Sequence, residues 1–263
     1  MLPLLALRNV FWALSTILEV VLLLFLVRRH LHRAVPAFFA YVVLVILQSA
    51  VVASSFAFFG ASSEPAFRIA WGSQAVIVVA RWFAVMEIAK KTLAQYTGIW
   101  AFTSRLLILV TALMLLYSIG FSGSRMSLLI LNAHRSVELC IAGLIVAIFV
   151  FVRYYRVPVN PLQRTLAVGF CLYSSFSVIN DSLYEKWRLA VGSLWNYLDM
   201  LTFIASLILW IQAVRAYSVS QEQIGPAALP SDTYGELSRK LNSRLDLLNQ
   251  RLERFFRSQD LRS

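Results

Sequence analysis

Six candidate site residues fall at mid to outer depth in apolar stretches of this chain: Glu19, Arg81, Arg135, Glu138, Asp199 and Asn196. A charged group facing lipid at the bilayer centre costs at least ~2.5 kcal/mol, so these groups should turn inward and meet a partner, water or a ligand. Three carboxyls stand against two guanidiniums. A surplus negative charge in hydrocarbon does not stand alone, so either one acid keeps its proton or a cation binds beside it. Both outcomes serve a coupled transporter or a proton-responsive sensor. A static polar network that ties helices together is the structural alternative. His134 and Arg135 precede Glu138 by one helical turn and share its face. Arg135 sits far enough out to reach the interface, whereas Glu138 lies deeper.

These residues are positioned by long apolar runs. The sequence is 59% hydrophobic and only 14% charged, with a mean hydropathy of +0.71, a balance foreign to soluble domains. Spans are expected at Val10–Val27, Ala37–Phe59, Ala70–Ala89, Ala101–Ile119, Leu128–Val152, Leu162–Leu183 and Ser193–Val214. Each approaches the ~20 residues that carry a helix across ~30 Å of hydrocarbon. The expected fold is therefore all-α, a polytopic membrane protein of seven transmembrane helices. On this reading Glu19 and Arg81 lie at similar depth near the midplane, and Asp199 lies nearer the outer side. Glu87 is placed at the inner interface, where Lys91 follows in the favourable i, i+4 order.

Orientation follows from the basic residues. Arg28, Arg29, Arg33, Lys90, Lys91, Arg105, Arg153, Arg156 and Arg164 flank one side, nine against five for Arg8, Arg68, Arg125, Lys186 and Arg188. The richer side should be cytoplasmic, with the N-terminus outside and the C-terminus inside the plasma membrane. The first span reads as a retained helix, because no small-residue cleavage site follows it. The net charge of +11 is then mainly a topology signal that favours anionic lipid heads at the inner face and calls for no nucleic acid.

An internal repeat organises the spans. Ala53–Ser73 aligns without a gap on Tyr173–Ser193 at an offset of 120, with eight identities that include Arg68/Arg188 and Gly72/Gly192. Each copy closes one span, turns, and opens the next. An offset of 119 also lays Glu138 on Glu19. The expected layout of residues 1–217 is thus two parallel three-helix repeats, 10–92 and 128–214, joined by a linker helix at 101–120. A polar, Gly/Pro-broken linker follows at 218–231. Leu237, Leu241, Leu245, Leu248, Leu252 and Phe255, flanked by arginines, mark a basic amphipathic cytoplasmic helix at 232–257.

Enzyme signatures are missing: no G-x-S-x-G, no H-E-x-x-H, no phosphate loop and no CxxC occurs. No catalytic, cofactor or metal site is expected. His30 and His32 sit in a basic loop without carboxylate or thiol partners. Cys140 and Cys171 both fall within spans, which rules out an external disulfide framework.

Three helices, a linker and three more in the same orientation resemble the layout of SWEET and PQ-loop transporters. The Pro-Gln pair of that family is absent; Pro161-Leu162-Gln163 is the nearest approach. Ala80-Arg81-Trp82, Phe170, Tyr173 and Asp199 are similar to residues lining the retinal pocket of microbial rhodopsins. That resemblance implies a Schiff-base lysine four residues after the aspartate, and this chain has Phe203 there. A covalent retinal is excluded. The residues favour a transporter of a small polar or cationic solute, with proton coupling open to it. A sensor signalling through the cytoplasmic helix to a partner is the alternative, followed by a scaffold that binds no ligand. Nothing in the sequence sets the oligomeric state.

Overall fold

The computed structural model describes residues 2–60, 63–93, 97–122, 126–155, 157, 159–217, 239–240, 243–244 and 247. At 2–9, 97–99, 102, 115, 118–122, 126–131, 155 and 184–196 it describes the backbone alone. Every element is an α-helix: α1 (Leu2–Arg28), α2 (Leu31–Ala34), α3 (Pro36–Phe59), α4 (Glu64–Thr92), α5 (Thr97–Ser122), α6 (Met126–Tyr155) and α7 (Pro161–Ala216). Two compact units divide after Tyr217. The expected helix at 232–257 falls mostly outside the described residues; Arg239, Lys240, Ser243, Arg244 and Leu247 are helical.

Among the described residues six segments are long and apolar enough to cross a membrane: Val10–Arg28, Pro36–Phe59, Glu64–Thr92, Asn132–Tyr154, Pro161–Leu183 and Tyr197–Ala216. The chain is a multi-pass integral membrane protein. Large apolar side chains such as Trp12, Ile17, Leu24, Phe58 and Phe83 are exposed around the bundle, as a lipid-facing surface requires. The linker helix expected at 101–120 lies within α5, whose apolar stretch among the described residues, Thr103–Met114, is shorter than a crossing.

Local chemistry sets the helix ends. Pro36 and Pro161 open α3 and α7 at positions where a missing N–H costs nothing. The Ser63 hydroxyl accepts from Ala66 N at 3.3 Å, and the Asn160 side chain accepts from Leu162 N at 2.9 Å. Gly60 closes α3 at a φ of 81°, a conformation that favours glycine. One cap comes from another helix. Glu87 Oε2 on α4 accepts from Ala37 N at 2.8 Å and Phe38 N at 3.1 Å, placing a carboxylate at the positive end of α3. Glu87 also stands 3.5 Å from Lys91 Nζ.

α7 is helical in backbone from end to end, yet its two ends lie side by side. The Trp210 indole donates to Leu166 O at 3.1 Å, and the Ser206 hydroxyl to Gly169 O at 3.1 Å. Forty-four residues of straight helix would separate the first pair by ~66 Å. The chain therefore reverses between Gly169 and Ser206, and the apolar segments on either side, Pro161–Leu183 and Tyr197–Ala216, are called its first and second arms. The arms touch at Gly169, where an added Cβ would lie 2.3 Å from Trp210 Nε1. Phe38 and Tyr41 from α3 pack edge-on against Phe170 and Trp210, with neighbouring ring centroids 4.7–5.9 Å apart. Around this aromatic core α3 lies on α4, α6 on α7, α1 on α3 and α7, and α4 on α6. The Arg29 guanidinium donates to Tyr217 O, which ties the end of α1 to the end of α7. Together with the Glu87 cap, this gathers Arg29, Lys90 and Lys91 at one end of the bundle.

Candidate functional site

Arg81 and Glu138 meet in the interior. Arg81 projects from the middle of α4 and Glu138 from α6, and Arg81 Nη1 donates to Glu138 Oε1. Their side chains are 2% and 0% exposed, so neither charge is hydrated from outside. Tyr173 from the first arm of α7 lies across the guanidinium, its ring centroid 4.3 Å from the Arg81 carbon. Tyr41 from α3 faces it at 5.7 Å. Two aromatic faces and one carboxylate thus surround a buried cation, an arrangement that suits a delocalised guanidinium better than an ammonium.

The pair continues toward the other end of the bundle. His134, one turn before Glu138 on α6, places Nε2 3.8 Å from Glu138 Oε1, in ion-pair range but beyond hydrogen-bond reach. Its Nδ1 is 2.9 Å from Asp181 Oδ2 on the first arm of α7. A carboxylate only accepts, so the proton on this bond belongs to Nδ1 and Nε2 is the nitrogen that gains or loses one. Asp181, His134, Glu138 and Arg81 form a chain of four ionisable groups across three helices. Arg81 Nε, His134 Nε2 and Glu138 Oε2 are buried and have no hydrogen-bond partner among the described residues. Buried polar atoms are normally satisfied, so three orphans on one charged chain leave hydrogen-bonding capacity that a water, a proton or a solute would satisfy.

Glu19 and Asp199 stand nearby without joining a pair. Glu19, 2% exposed on α1, accepts a long bond of 3.4 Å from the Ser49 hydroxyl. Asp199, on the second arm of α7, is within electrostatic range of Asp181, Arg81, His134 and Glu138. Tyr41 lies within the same range of Arg81, Glu138 and Glu19, and Tyr173 of Arg81, Glu138 and Asp199. Among the described residues no cation forms an ion pair with Glu19 or Asp199. Gln48 bridges α3 to α4, donating to Gln74 Oε1 at 2.9 Å, as a helix-joining amide should.

Of the six residues expected at the site, Arg81 and Glu138 meet and Asp199 lies within electrostatic range of both, while Glu19 is linked to the group only through Tyr41. Arg135 is half-buried and donates to Asn132 Oδ1 at 2.9 Å. The Asn196 side chain lies outside the described residues. His134 and Asp181 are the members that sequence reasoning passed over. His134 was visible on the face of Glu138, but its partner is 47 residues away and no local pattern links them.

The chain matches no family model, no curated protein and no solved structure. Among the described residues no cluster of three or more His, Cys, Asp or Glu has the geometry to hold a metal ion.

Proposed function

We propose that this protein is a plasma-membrane transporter of a small polar or cationic solute, coupled to protons, with its working groups at Glu19, Arg81, His134, Glu138, Asp181 and Asp199. The observation that carries the reading is the buried chain Asp181–His134–Glu138–Arg81 with its three unpartnered polar atoms. A purely structural network gains stability by satisfying every member, and an incomplete one is costly to keep. In this reading Arg81 neutralises Glu138 and holds it in place. His134 receives a proton at Nε2 from the outer side while Nδ1–H stays on Asp181. Glu19 and Asp199 are the carboxyls left to carry a proton or a bound cation, since a bare carboxylate at that depth is uphill.

The proposal also takes in seven crossings, with α5 as the linker helix between two parallel triplets, the N-terminus outside and the basic end in the cytoplasm. Alternating access would then rock one triplet against the other around Arg81 and Glu138. No catalytic step is assigned.

Uptake of a labelled panel of amino acids, polyamines and sugars into proteoliposomes tests the proposal. The wild type should accumulate one class when the outside is acidic, Glu138→Gln should not, and deletion of 218–263 should leave uptake intact. If no class accumulates in the wild type and the deleted segment instead proves necessary for a cellular response, the chain is a sensor.

A further inference from the structure

A second candidate site lies at the basic end, away from the charged chain. Between α4, α6 and the first arm of α7 is a cavity of about 610 Å³. Its composition changes along the bundle axis. Val85, Ile145 and Ala167 form the inner part, all buried and apolar. Arg153, Gln163 and Arg164 form the outer part, and both arginines are exposed. From Ile145 to Arg153 the wall runs eight residues of α6, roughly 12 Å along the helix axis. The lining also takes in Val168, an exposed residue, so the cavity wall reaches the apolar exterior of the bundle. The N-terminus of α7, opened by Pro161, adds its positive end beside Arg164.

We propose that this cavity binds an anionic phospholipid from the surrounding bilayer, with one acyl chain between Val85, Ile145 and Ala167 and the phosphate at Arg153 and Arg164. The argument is complementarity of two kinds. Two turns of apolar wall offer a hydrated polar solute nothing in return for its lost water, but they suit an acyl chain. Guanidiniums bind phosphate through paired N–H donors, and basic pockets between membrane helices hold anionic head groups in this way. A zwitterionic lipid would fill the same apolar space, but its own ammonium opposes the arginines. The head group therefore selects and the chain anchors. A lipid wedged between α4, which carries Arg81, and α6, which carries Glu138, is also placed to set how far those helices can separate. The proposal does not rest on the transport reading.

The test uses the full chain purified in detergent, delipidated, and then exposed to mixed micelles of phosphatidylcholine with phosphatidylglycerol as the probe. Bound lipid is read by native mass spectrometry. The wild type should retain phosphatidylglycerol in preference to phosphatidylcholine. The exposed double change Arg153→Gln with Arg164→Gln should reduce that preference about tenfold or more. Ala167→Phe, which fills the inner cavity, should lose retention while both arginines stay in place. Equal retention in the wild type and the arginine double variant would mean lipid held around the bundle at large, and the site would fall. Loss of solute uptake in Ala167→Phe with lipid retention unchanged would make the cavity an aqueous vestibule instead. If excess inorganic phosphate displaces the lipid from the wild type completely, the acyl chain contributes nothing and the proposal is likewise overturned.

Discussion

Glu19 and Glu138 are both buried carboxyls of the bundle, and their surroundings differ sharply. Glu138 is fully buried against Arg81, with His134 one turn away and two tyrosine rings close by. Glu19 is almost as deeply buried and has a single hydroxyl, Ser49, at 3.4 Å. One carboxyl is held by a permanent countercharge and the other is not. A buried ion pair is hard to break because each partner strands the other, whereas a lone carboxyl can change state without stranding anything. For the proposed transporter the contrast implies a division of labour, in which Glu138 would organise the site and Glu19 would exchange its proton or a cation.

The largest expected effect comes from breaking the pair. Arg81→Gln or Glu138→Gln alone should lower stability in detergent by about 3–5 kcal/mol, since each leaves an unpaired buried charge. The double variant should recover a large part of that loss. Equal losses in the singles and the double would show that the two residues do not depend on each other.

Next in size is Gly169→Ala, which touches no charge. Its Cβ would collide with Trp210 at 2.3 Å and prise the arms of α7 apart, costing about 1–3 kcal/mol. Thermal melts should show this loss adding to that of Glu138→Gln, because the clash acts on the frame and not on the pair. A strongly non-additive result would mean that the position of the arms sets the pair's geometry.

His134→Ala removes the bond to Asp181 and should cost about 1–2 kcal/mol, less than either pair variant. Its expected signature lies in the pH dependence of uptake, which should flatten when the imidazole is gone. An unchanged profile would remove His134 from the proton route.

The contrast between the two glutamates also shows what the sequence can and cannot say. That both are buried was legible, because a carboxyl in mid-span has few other options. Arg81 was legible on the same ground. Their pairing was not, since Arg81 and Glu138 are 57 residues apart and the sequence offers Arg135, three residues away, as an equally good partner. In the structure Glu138 pairs with Arg81, and Arg135 donates to Asn132. Glu87 shows the same limit. Its place near the basic end and its approach to Lys91 follow from helical spacing, but its bonds to Ala37 and Phe38 of α3 depend on how α4 packs. Six of the seven segments read from hydropathy have counterparts among the described residues, because that signal is a property of each segment alone. The turn between the last two was expected between Leu183 and Ser193, and the backbone is helical across that stretch. Polar residues report where a chain leaves lipid, and that is not always where a helix ends.

The smallest effect on stability belongs to Glu19→Gln, and it gives the most direct test of the account. An amide keeps a polar partner for Ser49 without a charge, so the melting point should fall by less than about 1 kcal/mol in equivalent stability. In dye-loaded proteoliposomes the same variant should lose solute-driven proton movement. That result, a protein as stable as wild type that no longer moves protons, is what the division of labour predicts. A Glu19→Gln protein that melts as early as Glu138→Gln, or one that moves protons like the wild type, would contradict it.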